Sequence, residues 1–191
     1  MKSARILALA TVLSIAVATG FAFVGNATAV PPLHTTVVEV LARADADAVG
    51  VSMMTRDNSG ATMSTYVQGL EPNSLYTVWW FVFNHPDKCT GPCDGPDLGP
   101  ANGANLWATS FLTDATGHAS FGARIDRGNP ALGFVQGLGN PMGLANVDKA
   151  EIHFGMVNHG VPGVDFPLGD IPTEATTPGS PLQAVAIHLP Q

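Results

Sequence analysis

Leu75–Phe83 reads LYTVWWFVF, a run without a charge in which aromatic and β-branched side chains occupy both alternating positions. A half-exposed strand alternates apolar with polar residues, whereas a strand covered on both faces reads as a continuous apolar run. The stretch therefore predicts a strand at the centre of a sheet. Its neighbours share the strand character. Upstream, Ala61–Gly69 (ATMSTYVQG) alternates after the turn cluster Arg56-Asp57-Asn58-Ser59-Gly60, and Ala48–Thr55 and Thr35–Ala42 are rich in Val and Thr. Downstream, Leu106–Thr113 and His118–Ile125 flank Asp114-Ala115-Thr116-Gly117, which predicts a β-hairpin. Ala150–Asn158 and Leu182–Leu189 complete about eight strands.

Alternation assigns faces. Phe121, Ala123 and Ile125 share one side of their strand, with His118, Ser120 and Arg124 on the solvent side. In the last strand Val185, Ile187 and Leu189 share a face, and His188 lies opposite them. No amphipathic helix is evident. Residues 127–147 contain Gly-Asn-Pro twice and predict a loop with one helical turn. The fold class is all-β: an antiparallel β-sandwich of about eight strands, of immunoglobulin-like or Greek-key type, with an open barrel as the alternative.

The first residues have a different purpose. Lys2 and Arg5 precede an uncharged apolar stretch, Ile6–Val24, and Ala27-Thr28-Ala29 offers small residues where a signal peptidase reads. This predicts a signal helix in residues 1–29, cleaved after Ala29, and a single domain over 30–191. The alternative is an uncleaved membrane anchor, so contact with membrane is expected only through this segment. The location expected is extracytoplasmic: secreted, periplasmic or at the cell surface.

The 191-residue chain has 15 acidic against 8 basic residues, two of the latter in the signal segment. That acidity argues against nucleic acid and anionic membrane as partners. Only 12% of residues are charged while 21 are Gly and 15 Pro, which fits turns rather than helices. The two cysteines, Cys89 and Cys93, predict a disulfide in an exported chain. The bridge closes a small loop and clips Asn84–Gly99 (NHPDKCTGPCDGPDLG) directly after the central strand.

Two clusters could carry chemistry. The disulfide loop offers His85, Asp87, Asp94 and Asp97, which with backbone carbonyls could hold Ca²⁺, although the spacing is not that of an EF-hand. Ile152–Pro162 (IHFGMVNHGVP) offers His153 and His159, which His118, His188 or His85 could join to bind Cu or Zn. For each the plain alternative is structural: a pinned polar loop, and separate histidines. No Gly-x-Ser-x-Gly elbow, phosphate-cradling glycine motif or signature serine is present. Glu39, Glu71, Glu151 and Glu174 show no spacing that pairs one with a second carboxylate for glycoside hydrolysis. No catalytic residue and no cofactor is assigned, a divalent metal being the one alternative.

Gly69-Leu70-Glu71-Pro72-Asn73 before Tyr76-Thr77-Val78-Trp79-Trp80, then Phe83-Asn84-His85-Pro86 and Cys89…Cys93, resembles a group of uncharacterised exported bacterial and archaeal β-proteins. They carry an FNNP-type strand end followed by two cysteines. Thr113-Asp114-Ala115-Thr116-Gly117 and His159-Gly160-Val161-Pro162 are similar to the group's later hairpin and strand-end motifs. His85 replaces a usual second Asn, and Val161 separates Gly160 from the proline. The hairpin and Ile152-His153 faintly resemble CHRD-type domains and the copper/zinc superoxide dismutase sandwich, without the dismutase ligand pattern. The resemblance implies export and a β fold, and no activity. The function expected is a secreted or cell-surface protein with a binding or structural role, toward an unknown ligand or cell-surface component. The alternatives are an exported Cu/Zn- or Ca-binding protein and, third, an extracellular hydrolase.

Overall fold

The computed structural model describes residues 33–128, 143–167 and 182–191, all within one compact unit, Pro31–Gln191. The expected signal segment, Glu174 and most of the Gly-Asn-Pro stretch lie outside the described residues. Eight strands are present: β1 (His34–Ala42), β2 (Ala48–Asp57), β3 (Gly60–Val67), β4 (Leu75–Phe83), β5 (Gly103–Leu112), β6 (Ala119–Asp126), β7 (Glu151–Gly160) and β8 (Ala184–His188). Each coincides with an expected segment to within a few residues. Among the described residues the only helical turns are two short 3₁₀ turns, Pro86–Lys88 and Gly95–Leu98. No helix there is long and apolar enough to cross a membrane.

The strands form one antiparallel, nearly closed sheet in the order β5-β4-β7-β8-β1-β2-β3-β6. Alternate side chains point inward, as the pleat requires. Met54 and Met63 from one half meet Val78, Trp80, Ile152 and Phe154 from the other. Trp79 and Phe83 fall on the outer face of β4 and are still buried; over Phe83 the cover is Cys93 and Ala101 of the segment that follows the strand. The double-sided apolar pattern of LYTVWWFVF thus has two separate covers.

The hairpin predicted for β5 and β6 forms only as a turn. Asp114 N–H donates to the His118 carbonyl and Gly117 N–H to that of Asp114. The two strands then separate to become the outer edges of the sheet, β5 pairing with β4 and β6 with β3. Aromatic rings take the place of a ladder at this seam. Phe111 stacks on Phe121 at 4.4 Å and on Tyr76 at 5.2 Å, each within 3° of parallel. Phe121 also meets Phe154 edge-on at 5.9 Å, so the ring cluster links the seam to the core.

The other junction between the halves is also thin. The β1–β8 ladder has two residue pairs, Leu41↔Val185 and Ala42↔Ala184. Beyond it, side chains continue the join: His188 Nδ1 meets Thr36 Oγ1 at 2.8 Å and Nε2 meets Ser52 Oγ at 3.0 Å, with Thr65 Oγ1 donating to Ser52 at 3.1 Å. The imidazole of β8 therefore faces the interior, while Val185 and Ile187 face outward and Leu189 is exposed.

Two polar residues close the end of the sheet at which β4 finishes. Asn84 donates to the Asn102 and Gly143 carbonyls, both at 2.9 Å, and its Oδ1 accepts from Ala145 N–H at 2.8 Å. Arg56 is fully buried and donates to the carbonyls of Val147, Ala150, His188 and Leu189 at 2.7–3.2 Å. Burial pulls its pKa down to about 10, which leaves it charged at neutral pH.

Candidate functional site

Antiparallel register separates the two stretches singled out in the sequence. Phe83 pairs with Glu151, whereas Leu75 pairs with Gly160. The disulfide loop leaves one end of β4 and the His159 turn lies at the other, about 26 Å away at ~3.3 Å per residue. They share no site. The histidine that meets the loop is His153.

That meeting is built from alternation. Glu151 and His153, two residues apart on β7, project from the same outer face. Phe83 and Phe81 stand beside them on β4, and Phe83 packs against the His153 ring with centroids 5.1 Å apart. The loop is stiffened by the Cys89–Cys93 disulfide and by the turn Gly95–Leu98, where Asp94 N–H donates to Asp97 Oδ2 at 3.0 Å and the Asp94 carboxylate accepts in return from Asp97 N–H. This brings Cys93 over Phe83. Its backbone N–H then donates to Glu151 Oε1 at 2.8 Å, and His153 Nε2 donates to the same oxygen at 2.6 Å. Glu151 and His153 are both buried.

Burial pushes the His153 pKa down and Glu151 pushes it up, with burial the larger effect. The ring is therefore neutral at pH 7. With Nε2–H committed to the carboxylate, Nδ1 is the acceptor. Among the described residues Nδ1 has no partner, and it is not one of the solvent-sealed unpaired atoms, which are Arg56 Nε and Asn105 Oδ1. It opens into a cleft of about 400 Å³ between the loop and the outer face of β4, β7 and β8. Cross-strand pairing sets Phe81, His153 and Ile187 in one row of the floor. Val185 and Leu182 extend that apolar surface, Cys93–Pro96 form the roof, and Arg43 stands at the edge. The cleft lies within the usual volume range of small-molecule sites, about 300–1,000 Å³.

The remaining predicted residues are dispersed. His85 is exposed, 4.0 Å from Asp87, which also faces Lys88 at 3.7 Å. His118 leans edge-on to Tyr66 at the seam turn. His159 Nε2 meets Thr77 Oγ1 at 2.8 Å, and Thr77 accepts from Trp79 Nε1 at 3.1 Å; Thr77 is fully buried and unable to meet a substrate. His188 has both ring nitrogens occupied inside the sheet. Burial first, then Arg56 and His153, lower its pKa to about 4. Among the described residues the only set of three potential metal ligands is Cys89, Cys93 and Asp97, and its sulfurs are joined to each other. A shallow depression over Val51, Met53, Tyr66 and Gly122, on the outside of β2, β3 and β6, carries no histidine, carboxylate or cation.

Sequence pattern alone leaves the role of Glu151 unread, although Glu-x-His on a strand is a same-face pair by parity. Arg56 gives no comparable signal: nothing local marks an arginine beside a turn as a buried plug. No family model, curated protein or solved structure matches the chain.

Proposed function

We propose that this chain is an exported ligand-binding protein. Residues 1–29 act as a removable signal segment. Residues 30–191 form a flattened sandwich of Greek-key type, β5-β4-β7-β8 against β1-β2-β3-β6, which works outside the cytoplasm or at the cell surface. The ligand site is the cleft under the disulfide loop.

The Glu151 junction carries this reading. Apolar contacts would suffice to seat a covering loop, and a buried carboxylate costs several kcal/mol unless paired. Here one carboxylate oxygen holds both the roof, through Cys93 N–H, and the tautomer of the His153 ring that opens to the cleft. Orienting an imidazole in this way is the usual work of such a partner. The described lining holds no serine, threonine or free cysteine to act as a covalent nucleophile. The Cu/Zn and Ca readings have less support, since the histidines lie apart and Asp94 and Asp97 serve each other's backbone.

The test is a fragment screen followed by the His153 side-chain signals in ¹H–¹³C NMR. Bound fragments should shift His153 and lose affinity in Val185→Trp, which fills the floor. Fragments that bind without moving His153, or that bind Val185→Trp equally well, would overturn the proposal.

A further inference from the structure

Three of the six basic side chains among the described residues are already engaged. Arg56 is sealed against four carbonyls. Arg124 is held by Asp126 at 2.7 Å and Asp57 at 3.6 Å, and Lys88 faces Asp87. Arg43 differs. Its backbone N–H is fixed to the Gln183 carbonyl at 2.9 Å, which anchors the residue at the cleft edge, yet among the described residues its guanidinium has no ion pair and no hydrogen bond. In a chain with a formal charge of −7 an unengaged arginine beside an apolar cleft is conspicuous.

We infer that the cleft takes a monocarboxylate with an apolar body, the carboxylate on Arg43 and the body on Phe81, Val185 and Ile187. This rests on the cleft being the ligand site and names what it selects. A guanidinium matches a carboxylate through two parallel N–H donors, which gives orientation as well as charge. The floor offers apolar surface with one acceptor, His153 Nδ1, so the body is hydrocarbon with room for a single hydroxyl or N–H donor. A polyanion is disfavoured, because the roof carries Asp94 and a second negative charge would face it unpaired. The same head group occurs on free organic acids and on the C-terminus of a peptide.

The experiment compares octanoate, 4-phenylbutyrate and N-acetyl-leucine with their methyl esters, at millimolar concentration, by calorimetry and by the His153 NMR signal. N-acetyl-leucine stands for the peptide terminus. At least one acid should bind about tenfold more tightly than its ester, about 1.4 kcal/mol, and shift His153. Arg43→Gln, a change at the cleft edge, should remove that preference and leave ester binding unchanged. Acid and ester bound equally, both shifting His153, would refute the carboxylate inference and leave the cleft as a binding site. A preference that survives Arg43→Gln would refute it as well. If none of the six compounds moves His153, the inference falls and the cleft reading loses its support with it.

Discussion

His188 stitches the two halves of the sheet where their ladder stops, and it should make the fold acid-sensitive. The perturbation is a pH drop from 7 to 4.5. Folded, the imidazole is neutral with its pKa lowered from 6.5 to about 4, because it is sealed from water and lies near Arg56 and His153. Unfolded, it titrates near 6.5. Between those values the unfolded chain binds the extra proton, so stability is full above about pH 6.5 and falls as pH is lowered through about 4. A tenfold difference in proton affinity between the two states is worth about 1.4 kcal/mol, so the whole gap amounts to about 3 kcal/mol, most of it already lost by pH 4.5. Burial also lowers the His153 and His159 pKa values, so the whole protein loses more than this one group supplies. Asp57 and Asp114, held down at about 2 by hydroxyl and backbone donors, contribute stability that is present above their ordinary range and lost only as pH falls below it, so they stay out of the window. The assay is urea unfolding with linear extrapolation at pH 7, 5.5 and 4.5, for the wild type and for His188→Gln, which cannot take up the proton. The variant should be less stable at pH 7 and should lose about 2 kcal/mol less on acidification to pH 4.5. Equal losses in the two proteins would refute the reasoning.

Replacing both Cys89 and Cys93 with serine should cost about 2 kcal/mol in thermal or urea unfolding, the chain-entropy value for so short a loop, and should shift the His153 NMR signals because the Cys93 N–H loses its position over Glu151. Intact mass after alkylation of the unreduced wild type should show no free thiol. Asn84→Ala leaves two carbonyls and at least one N–H at the end of the sheet unpaired, so urea unfolding should register about 2–4 kcal/mol, with Asn84→Asp, which sets a buried carboxylate oxygen against the same two carbonyls, losing at least as much. Gly117 has φ +78°, and a Cβ there would come within 2.1 Å of the Leu70 carbonyl oxygen; Gly117→Ala should therefore destabilise by more than about 1 kcal/mol, and an unchanged melting temperature would show that the turn relaxes freely.

The motifs that carry the family resemblance turn out to be structural devices. Asn84 clasps three chain segments, Thr113 Oγ1 donates to the Glu71 carbonyl at 2.7 Å, and the Asp114 carboxylate accepts from Thr116 and His118 to close the seam turn. Asn84, Thr113 and Asp114 do not line the cleft, whereas Phe83 and Cys93 of the same motifs do. A motif conspicuous in sequence is one made of turn chemistry, and turn chemistry is local.

What the sequence determined by itself was local: eight strands, their turns, the disulfide, and a central strand covered on both sides. Alternation, β-branching and Gly/Pro punctuation act over a few residues and survive without knowledge of partners. What only the tertiary structure decided was which side of each strand is inside and which distant strands adjoin. The β5–β6 pair reads as a hairpin because its turn is hairpin-like, yet β5 pairs with β4 and β6 with β3, which leaves a seam between them. The sequence places His188 opposite Val185 and Ile187 without saying which face is inside; hydroxyls on β1 and β2 give the imidazole a satisfied place within. His153 and the disulfide loop, 60 residues apart between residues 93 and 153, meet because antiparallel register places Glu151 beside Phe83. That register is set by the whole sheet, and no stretch of the chain contains it.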